Sequence, residues 1–176
     1  MSGPQPTSVA PAPEFVPVAL LSLTLGEANV VFRNKEYAKG IDYIEVKDGS
    51  ITTVKNDLGL EFEVKDIIGN DKVTHDLVTG TTILDVNLFG KTANGSGVHI
   101  TYPGIARISD KVAGVLGGKG TFSDFDEYIH ITPTFRFCST AEEKFKWAAS
   151  TYFTGKGRFL RDDAGFYVQY YLYAAK

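Results

Sequence analysis

The chain has 176 residues, of which 43% are hydrophobic and 22% charged, with a formal net charge of −3 and a single cysteine. A chain of this length is typical of one domain, which buries roughly 70% of its unfolded surface and needs no disulfide or metal cross-links. The negative net charge and the lack of a Lys/Arg cluster disfavour a nucleic-acid partner. A single cysteine excludes an intrachain disulfide framework. No apolar run reaches the roughly 18 residues of a membrane helix.

The composition of the N-terminal segment predicts a tail that lies outside the folded core. Residues 1–13 contain four prolines among small and polar residues, a composition that predicts a disordered tail. The segment also lacks the basic stretch and apolar core of a secretory signal, so we expect a cytoplasmic protein without a membrane partner. Residues 14–176 are predicted to form a single domain.

This domain reads as a series of antiparallel strands. Runs rich in Val, Ile, Thr, Phe and Tyr are separated by Gly, Asn and Asp, a pattern typical of short strands joined by tight turns. The predicted strands are 18–25, 28–33, 41–47, 50–55, 60–67, 81–92, 98–108, 120–125, 128–137, 152–161 and 166–174.

Three short connections predict that consecutive strands pair in an up-and-down order. Asp48-Gly49 is typical of a two-residue hairpin whose central residues have positive φ, and Asn94-Gly95 has the same signature. Residues 162–165, with two Asp and one Gly, predict the last hairpin.

Residues 139–151 depart from the strand pattern and predict one short helix before the last hairpin. Ser139 with Glu142, or Thr140 with Glu143, has the spacing of a capping box. The apolar stripe of this helix consists of Ala141, Phe145, Ala148 and Tyr152.

About eight or more antiparallel strands in one domain favour closure into a barrel, because closure removes exposed strand edges. We therefore predict an all-β fold, a closed antiparallel β-barrel, with a two-sheet sandwich as the alternative. A barrel of about eight strands has an interior that side chains fill or that holds one small ligand.

The polar face of the strands supplies the candidate site residues, although alternation alone does not show which face points inward. If the polar face lines a cavity, Asp85 and His130 are the candidate catalytic pair, because an apolar pocket raises the pKa of an Asp and His titrates near neutrality. The candidate substrate-binding residues are Tyr102, Arg136, Tyr171, Tyr173, Phe89, His99 and Trp147. The alternative is that the polar face lies in water.

The sequence contains no strong motif for a metal or a nucleotide cofactor, so we expect neither. The three histidines, His75, His99 and His130, lack the close spacing of metal ligands. Residues 114–120 are similar to a phosphate loop, but the first Gly and the Ser/Thr that binds Mg²⁺ are both replaced. This segment predicts a flexible loop and a candidate lid over a barrel mouth.

The chain resembles a family of small barrels known only as a domain of unknown function. The resemblance rests on residues 127–137, on Phe145-Lys146-Trp147, and on two later segments, residues 154–159 and 170–173. Weaker matches are Thr82-Ile83-Leu84-Asp85 and Gly69-Asn70-Asp71. The chain departs from its relatives at Lys72, where they tend to have Trp, and in its longer, Gly-rich region 105–124.

This resemblance implies a lipocalin-like or allene-oxide-cyclase-like barrel with a central pocket, often oligomeric. Similar barrels include cofactor-free cyclases and dirigent-type proteins, and fungal relatives are associated with natural-product pathways. Asp85 is retained at a position that is similar to one in this family.

We therefore expect a cofactor-independent isomerase or cyclase that acts on a small, largely apolar polyketide, terpenoid or aromatic metabolite in the barrel lumen. Two alternatives remain, a non-catalytic carrier of a similar ligand and an oligomeric scaffold whose barrel is filled. Trp147 and the aromatic last strand also favour a homodimer.

Overall fold

The computed structural model describes residues 11–176, which form nine β-strands, one α-helix and one 3₁₀ helix. The strands are β1 (Phe15–Asn34), β2 (Lys39–Thr53), β3 (Lys65–Asp76), β4 (Thr81–Lys91), β5 (Gly97–Arg107), β6 (Ile129–Ile131), β7 (Thr134–Phe137), β8 (Phe153–Asp162) and β9 (Gly165–Ala175). The helices are α1 (Asp110–Leu116) and a 3₁₀ helix (Glu143–Ser150). The predicted N-terminal tail falls largely on residues 1–10, which lie outside the described residues.

Eight strands close into an antiparallel barrel. Strand β1 pairs with both β2 and β9, β4 pairs with β3 and β5, and β6 joins β5 to β8. Strand β7 follows β6 after Pro133 and pairs with β5. Proline has no amide hydrogen for the ladder, so it interrupts the strand between β6 and β7. The predicted all-β closed barrel is confirmed, and the two-sheet sandwich is wrong.

Successive side chains of the barrel strands alternate between two faces, and the face that carries the apolar side chains points into the barrel. On β4, Leu84, Val86 and Leu88 are buried while Asp85 and Phe89 are exposed. The hydrophobic effect favours this choice, since burying each aliphatic side chain contributes roughly 1.5–3 kcal/mol. The interpretation in which the polar phase lines the lumen is therefore wrong for this strand.

The first two strands are longer than the sequence pattern indicated. The predicted hairpin at Asp48-Gly49 is wrong, because both residues lie inside β2 and pair with Thr24 and Leu23 of β1. Gly49 is needed there for space, since a Cβ atom would lie 2.6 Å from Leu23 Cδ2.

The other two predicted turns are confirmed. Gly95 has a φ of +86° in the β4–β5 connection, a conformation that favours glycine. Asp162 pairs with Gly165 across the β8–β9 turn, and its carboxylate accepts hydrogen bonds from the amides of Ala164 and Gly165.

Two segments between the strands were misassigned from sequence. Residues 120–125 contain only an isolated bridge between Phe122 and Leu160 and no strand, whereas α1 precedes them. The predicted strand 60–67 overlaps only the first residues of β3, which continues to Asp76.

The barrel end farther from α1 is closed by an aromatic plug, which we define as Phe62, Phe135, Phe153 and Trp147. Phe62 is fully buried, and its ring centroid lies 4.6 Å from that of Phe135 and 6.0 Å from that of Trp147. The Trp147 indole donates a hydrogen bond to the Glu61 carbonyl (3.0 Å). Trp147 thus packs inside the protomer and closes this end.

The predicted short helix before the last hairpin is present as the 3₁₀ helix, but the predicted capping box is wrong. Its N-cap residue, Glu142, makes no side-chain cap hydrogen bond. The Glu142 carboxylate accepts instead from the Asn94 amide (3.1 Å), which ties the helix to the β4–β5 turn. No helix among residues 11–176 combines the length and apolar character needed to cross a bilayer.

Candidate functional site

A largely enclosed cavity of about 70 Å³ lies in the barrel lumen on the side of α1. Most of its wall is aliphatic or aromatic, and polar side chains reach it at few points. These side chains are Asp71, His75, Thr82, Tyr102 and Tyr170. An apolar cavity with a few convergent polar groups is the default candidate for a small-molecule site.

A larger cleft of about 680 Å³ lies on the outer surface, between residues 121–122 and the neighbouring strands. It is open to solvent, and the charged group of Arg158 is already satisfied by two hydrogen bonds to Gln169 Oε1 (2.9 and 3.1 Å). The lumen cavity is the stronger candidate because it is largely enclosed and contains a titratable group with a shifted pKa.

Asp71 on β3 is an ionisable group in the wall of this cavity. The β3–β4 ladder is interrupted at Lys72 and Val73, and the Asp71 carboxylate accepts a hydrogen bond there from the Asp85 amide (Oδ1–N 3.2 Å). Burial raises the pKa of Asp71 from its ordinary value of 3.8 to about 7, the amide hydrogen bond opposes this shift, and the Asp85 charge adds to it. The carboxyl therefore exchanges between its acid and base forms near neutral pH.

Two buried phenols face Asp71 across the lumen. Tyr102 on β5 and Tyr170 on β9 are each 2% exposed, and their ring centroids lie 5.9 Å apart in an edge-to-face arrangement. Burial raises the pKa of both hydroxyls, and the nearby Asp71 adds to the shift. Gly157 leaves the space for the Tyr170 ring, because a Cβ atom there would lie 2.5 Å from Tyr170 Cε1. Both phenols are neutral donors at physiological pH.

A second polar group reaches the cavity four residues further along β3. His75 Nε2 lies 2.9 Å from Asp42 Oδ2, and His75 Nδ1 lies 3.1 Å from Thr82 Oγ1. Asp42 is 7% exposed and is neutralised by Arg33, whose Nη2 lies 2.6 Å from Asp42 Oδ1. The imidazole is therefore held on both nitrogens in one orientation.

Comparison with known families identifies the barrel. Residues 13–175 match the family described as "Protein of unknown function (DUF3237)". The chain belongs to the DUF3237 family. The resemblance seen in the sequence is confirmed, and no curated protein matches this sequence.

Several solved structures share the fold of this DUF3237 protein at low sequence identity. A conserved protein of unknown function from Rhodopseudomonas palustris is 16% identical, with a TM-score of 0.72 over 95% of this chain and 100% of that one. A beta-barrel like protein from Acinetobacter baumannii is 20% identical, with a TM-score of 0.66 over 96% and 99%. An enzyme from Penicillium herquei is 15% identical, with a TM-score of 0.61 over 96% and 98%.

The DUF3237 barrel does not direct the predicted catalytic pair into its lumen, so that placement is wrong. Asp85 alternates with the buried Leu84 and Val86, and its side chain is 65% exposed and paired with Lys72 (2.6 Å). His130 lies between the buried Ile129 and Ile131, so its ring also faces outward. Desolvation lowers the pKa of His130, and the nearby Lys156 lowers it further. A role for Asp85 or His130 in lumen chemistry is not supported.

Of the predicted substrate-binding residues, Tyr102 lines the cavity and Trp147 lies in the aromatic plug. The others alternate with buried residues and lie on the outer wall of the barrel, where Phe89 stacks on His99 with ring centroids 4.9 Å apart. These outward residues are Phe89, His99, Arg136, Tyr171 and Tyr173. Their prediction as lumen residues is wrong, because the apolar phase of each strand faces inward.

Helix α1 covers the cavity end that the aromatic plug leaves free. Leu116, at its C-terminus, lines the cavity, while Val112 and Val115 are buried. Arg161 on β8 holds this terminus, since its Nε donates to the Val115 carbonyl (3.1 Å) and its Nη2 to the Leu116 carbonyl (3.4 Å). The predicted lid segment, residues 114–120, thus includes the last turn of α1 and the glycines after it.

Replacing Arg161 by Ala is expected to loosen this cover. The change removes two charge-assisted hydrogen bonds to the α1 carbonyls, and we expect about ten-fold faster hydrogen–deuterium exchange of the α1 amides. Arg158→Ala is the matched control, because Arg158 bonds Gln169 and makes no hydrogen bond to α1. Equal exchange rates in the two variants would show that Arg161 does not hold the helix.

Residues 11–176 bring together no group of three or more His, Cys, Asp or Glu side chains that could hold a metal ion. The polar groups of the cavity come from β3, β4, β5 and β9, so closure of the barrel is what assembles them.

Proposed function

We propose that this DUF3237 protein is a cofactor-independent isomerase or cyclase that moves a proton within a small, largely apolar natural product held in the barrel lumen. The observation that carries the proposal is Asp71, a carboxyl with a pKa of about 7 in the wall of an apolar cavity. A general acid or base works best when its pKa lies near the working pH, because both protonation states are then available.

The proposed reaction uses Asp71 first as a base and then as an acid. The ionised carboxylate removes a proton from an acidic C–H or O–H group of the substrate, and negative charge develops on a substrate oxygen. Tyr102 and Tyr170 donate hydrogen bonds to that oxygen. Protonated Asp71 then returns the proton to a different atom, so substrate and product have the same composition and the carboxylate is regenerated. Such acid–base catalysis contributes roughly 10²–10⁴ in rate.

His75 supports the proposal as a positioning group at the other end of the cavity. Four residues of strand separate it from Asp71, a distance of roughly 13 Å between Cα atoms at about 3.3 Å per residue. With both ring nitrogens engaged by Asp42 and Thr82, the imidazole presents a fixed edge to a ligand. A substrate that spans the lumen would be oriented by one polar group at each end.

The size and lining of the cavity restrict which substrates it can hold. At about 70 Å³ the lumen is smaller than the roughly 300–1,000 Å³ of typical ligand pockets, so a substrate enters only if the α1 cover and neighbouring side chains move. The aliphatic and aromatic wall favours an apolar body, and confinement in such a site also restricts the conformations from which a ring can close. The Penicillium herquei enzyme supports the view that this barrel can carry catalysis.

A non-catalytic carrier is the second candidate function. The covered, apolar lumen favours it, because such a site would retain an apolar ligand whether or not Asp71 transfers a proton.

The two functions are separated by incubating the purified protein with a metabolite extract of its source cells and analysing the products by mass spectrometry. We expect a substrate to be consumed and a product of identical mass to form without added nucleotide or metal. A compound that is retained and recovered unchanged would support the carrier and contradict the enzyme.

A further inference from the structure

Strand β1 continues beyond the barrel wall as an exposed arm. Its pairing with β9 ends at Leu25 and Phe166, but its pairing with β2 continues to Asn34. We call residues 28–34 the β1 arm. Within residues 11–176 the edge of this arm that faces away from β2 pairs with no strand.

The β1 arm carries three large apolar side chains and is exposed on both faces. Val30, Val31 and Phe32 are 63%, 66% and 44% exposed, and every residue from 27 to 33 is exposed. The register shift between Val30 and Phe32 makes Val31 the extra residue of a β-bulge. An unpaired, apolar strand edge is a template for pairing with another strand, and proteins normally cover or charge such edges.

The apolar surface continues past the end of the arm. Tyr37 is 66% exposed in the β1–β2 turn, and Leu77 and Val78 in the adjacent β3–β4 turn are 60% and 79% exposed. The two turns are joined by a hydrogen bond from the Leu77 amide to the Ala38 carbonyl (2.9 Å). A continuous apolar surface of this kind marks an interaction site, whereas single exposed residues do not.

The charges that flank the arm identify the occupant as a second copy of the same chain. Glu27 precedes the arm and Lys35 follows it, and neither forms an ion pair within residues 11–176. When two arms pair antiparallel about Val31, Val30 lies opposite Phe32 of the other copy, and Glu27 lies near Lys35, the first residue of the β1–β2 turn. Opposite charges and apolar pairs across strands stabilise a sheet, whereas like charges destabilise it.

We propose that the protein forms a two-fold symmetric homodimer through antiparallel pairing of the β1 arms. The interface is isologous, since each copy contributes the same surface. It also lies next to the lumen site, because Arg33 of the arm holds Asp42, which in turn holds His75.

Analytical ultracentrifugation tests the proposal. The wild-type protein is expected to sediment as a dimer, and Val31→Lys is expected to weaken dimerisation by at least about ten-fold because it places two like charges opposite each other. Phe89→Lys is the control, since Phe89 is 50% exposed on β4 and pairs with Ile68 and His99, away from the row of strands that leads to the arm. A monomeric wild type, or a dimer that Val31→Lys leaves intact, would overturn the proposal.

Two further pairs of variants test the register. Glu27→Lys should weaken the dimer, and the double change Glu27→Lys with Lys35→Glu should restore it. In a Cys138→Ser background, Val31→Cys should form an intermolecular disulfide and Phe89→Cys should not. Absence of both the charge rescue and the cross-link would contradict the antiparallel register. None of these readouts depends on catalysis, so failure of the dimer and failure of the proposed enzyme are separate results.

Discussion

Replacing Asp71 by Asn is expected to stabilise the protein above neutral pH and to abolish its turnover. The folded state binds the Asp71 proton more tightly than the unfolded state, because burial raises the pKa from 3.8 to about 7. Stability from this group is therefore fully present below about pH 4 and is lost as the pH rises through about 7. At about 1.4 kcal/mol per pKa unit, the loss is of the order of 4 kcal/mol.

The measurement is urea unfolding of wild type and Asp71→Asn at several pH values. The two proteins should have similar free energies of unfolding near pH 4, and the variant should be the more stable near pH 8, by up to about 4 kcal/mol. Other titrating groups, such as Asp76 with its lowered pKa, are present in both proteins and cancel in the difference. A difference that does not change with pH would show that Asp71 is not ionising inside the apolar lumen.

The activity of the Asp71→Asn variant tests whether Asp71 transfers the proton, and not Asp85, the candidate predicted from the sequence. Asparagine still accepts the Asp85 amide hydrogen bond but cannot carry a proton, so we expect turnover to fall by roughly 10²–10⁴ while ligand affinity changes little. Asp85→Asn should retain activity, because the Asp85 carboxylate lies on the outer wall and pairs with Lys72. Loss of activity in Asp85→Asn with activity kept in Asp71→Asn would overturn the lumen mechanism.

Replacing Phe62 by Ala is expected to cost about 3–5 kcal/mol of unfolding free energy. Phe62 is fully buried in the aromatic plug and contacts the rings of Phe135, Trp147 and Phe153, so truncation leaves a cavity that the surrounding barrel cannot fill. The lower midpoint should be visible in urea unfolding at unchanged slope.

Phe89→Ala is the matched control for this prediction. Phe89 is 50% exposed on the outer wall, and its truncation should cost less than about 1 kcal/mol although it also stacks on His99. Equal losses for the two variants would show that the aromatic plug does not contribute more than the surface stack.

Much of the fold could be predicted from local sequence because strand alternation and turn chemistry act over a few residues. The β8–β9 hairpin follows from alternating Tyr and aliphatic residues on either side of the 162–165 turn. The failures share one cause, since Asp48-Gly49 and Gly69-Asn70-Asp71 have turn composition but are held in strands by pairing with distant partners. Local signals do not report such pairing.

The candidate site was missed for the same reason. The sequence marks Asp71 only through a weak family match, and Tyr170 only as part of residues 170–173 in the same resemblance. Asp42, His75 and Thr82 carry no spacing signal, because their contacts join β2, β3 and β4 across the sheet. A polar residue within an otherwise inward-facing apolar phase was the signal that could have identified Asp71, had β3 been recognised.

The sequence by itself determined that this chain forms an all-β fold of antiparallel strands, and it favoured a closed barrel over a two-sheet sandwich because closure leaves no unpaired strand edge. Only the tertiary structure decided which acid faces the lumen. Alternation distinguishes two faces without saying which is inside, and the strand register that places Asp71 inward and Asp85 outward is fixed by long-range pairing and burial.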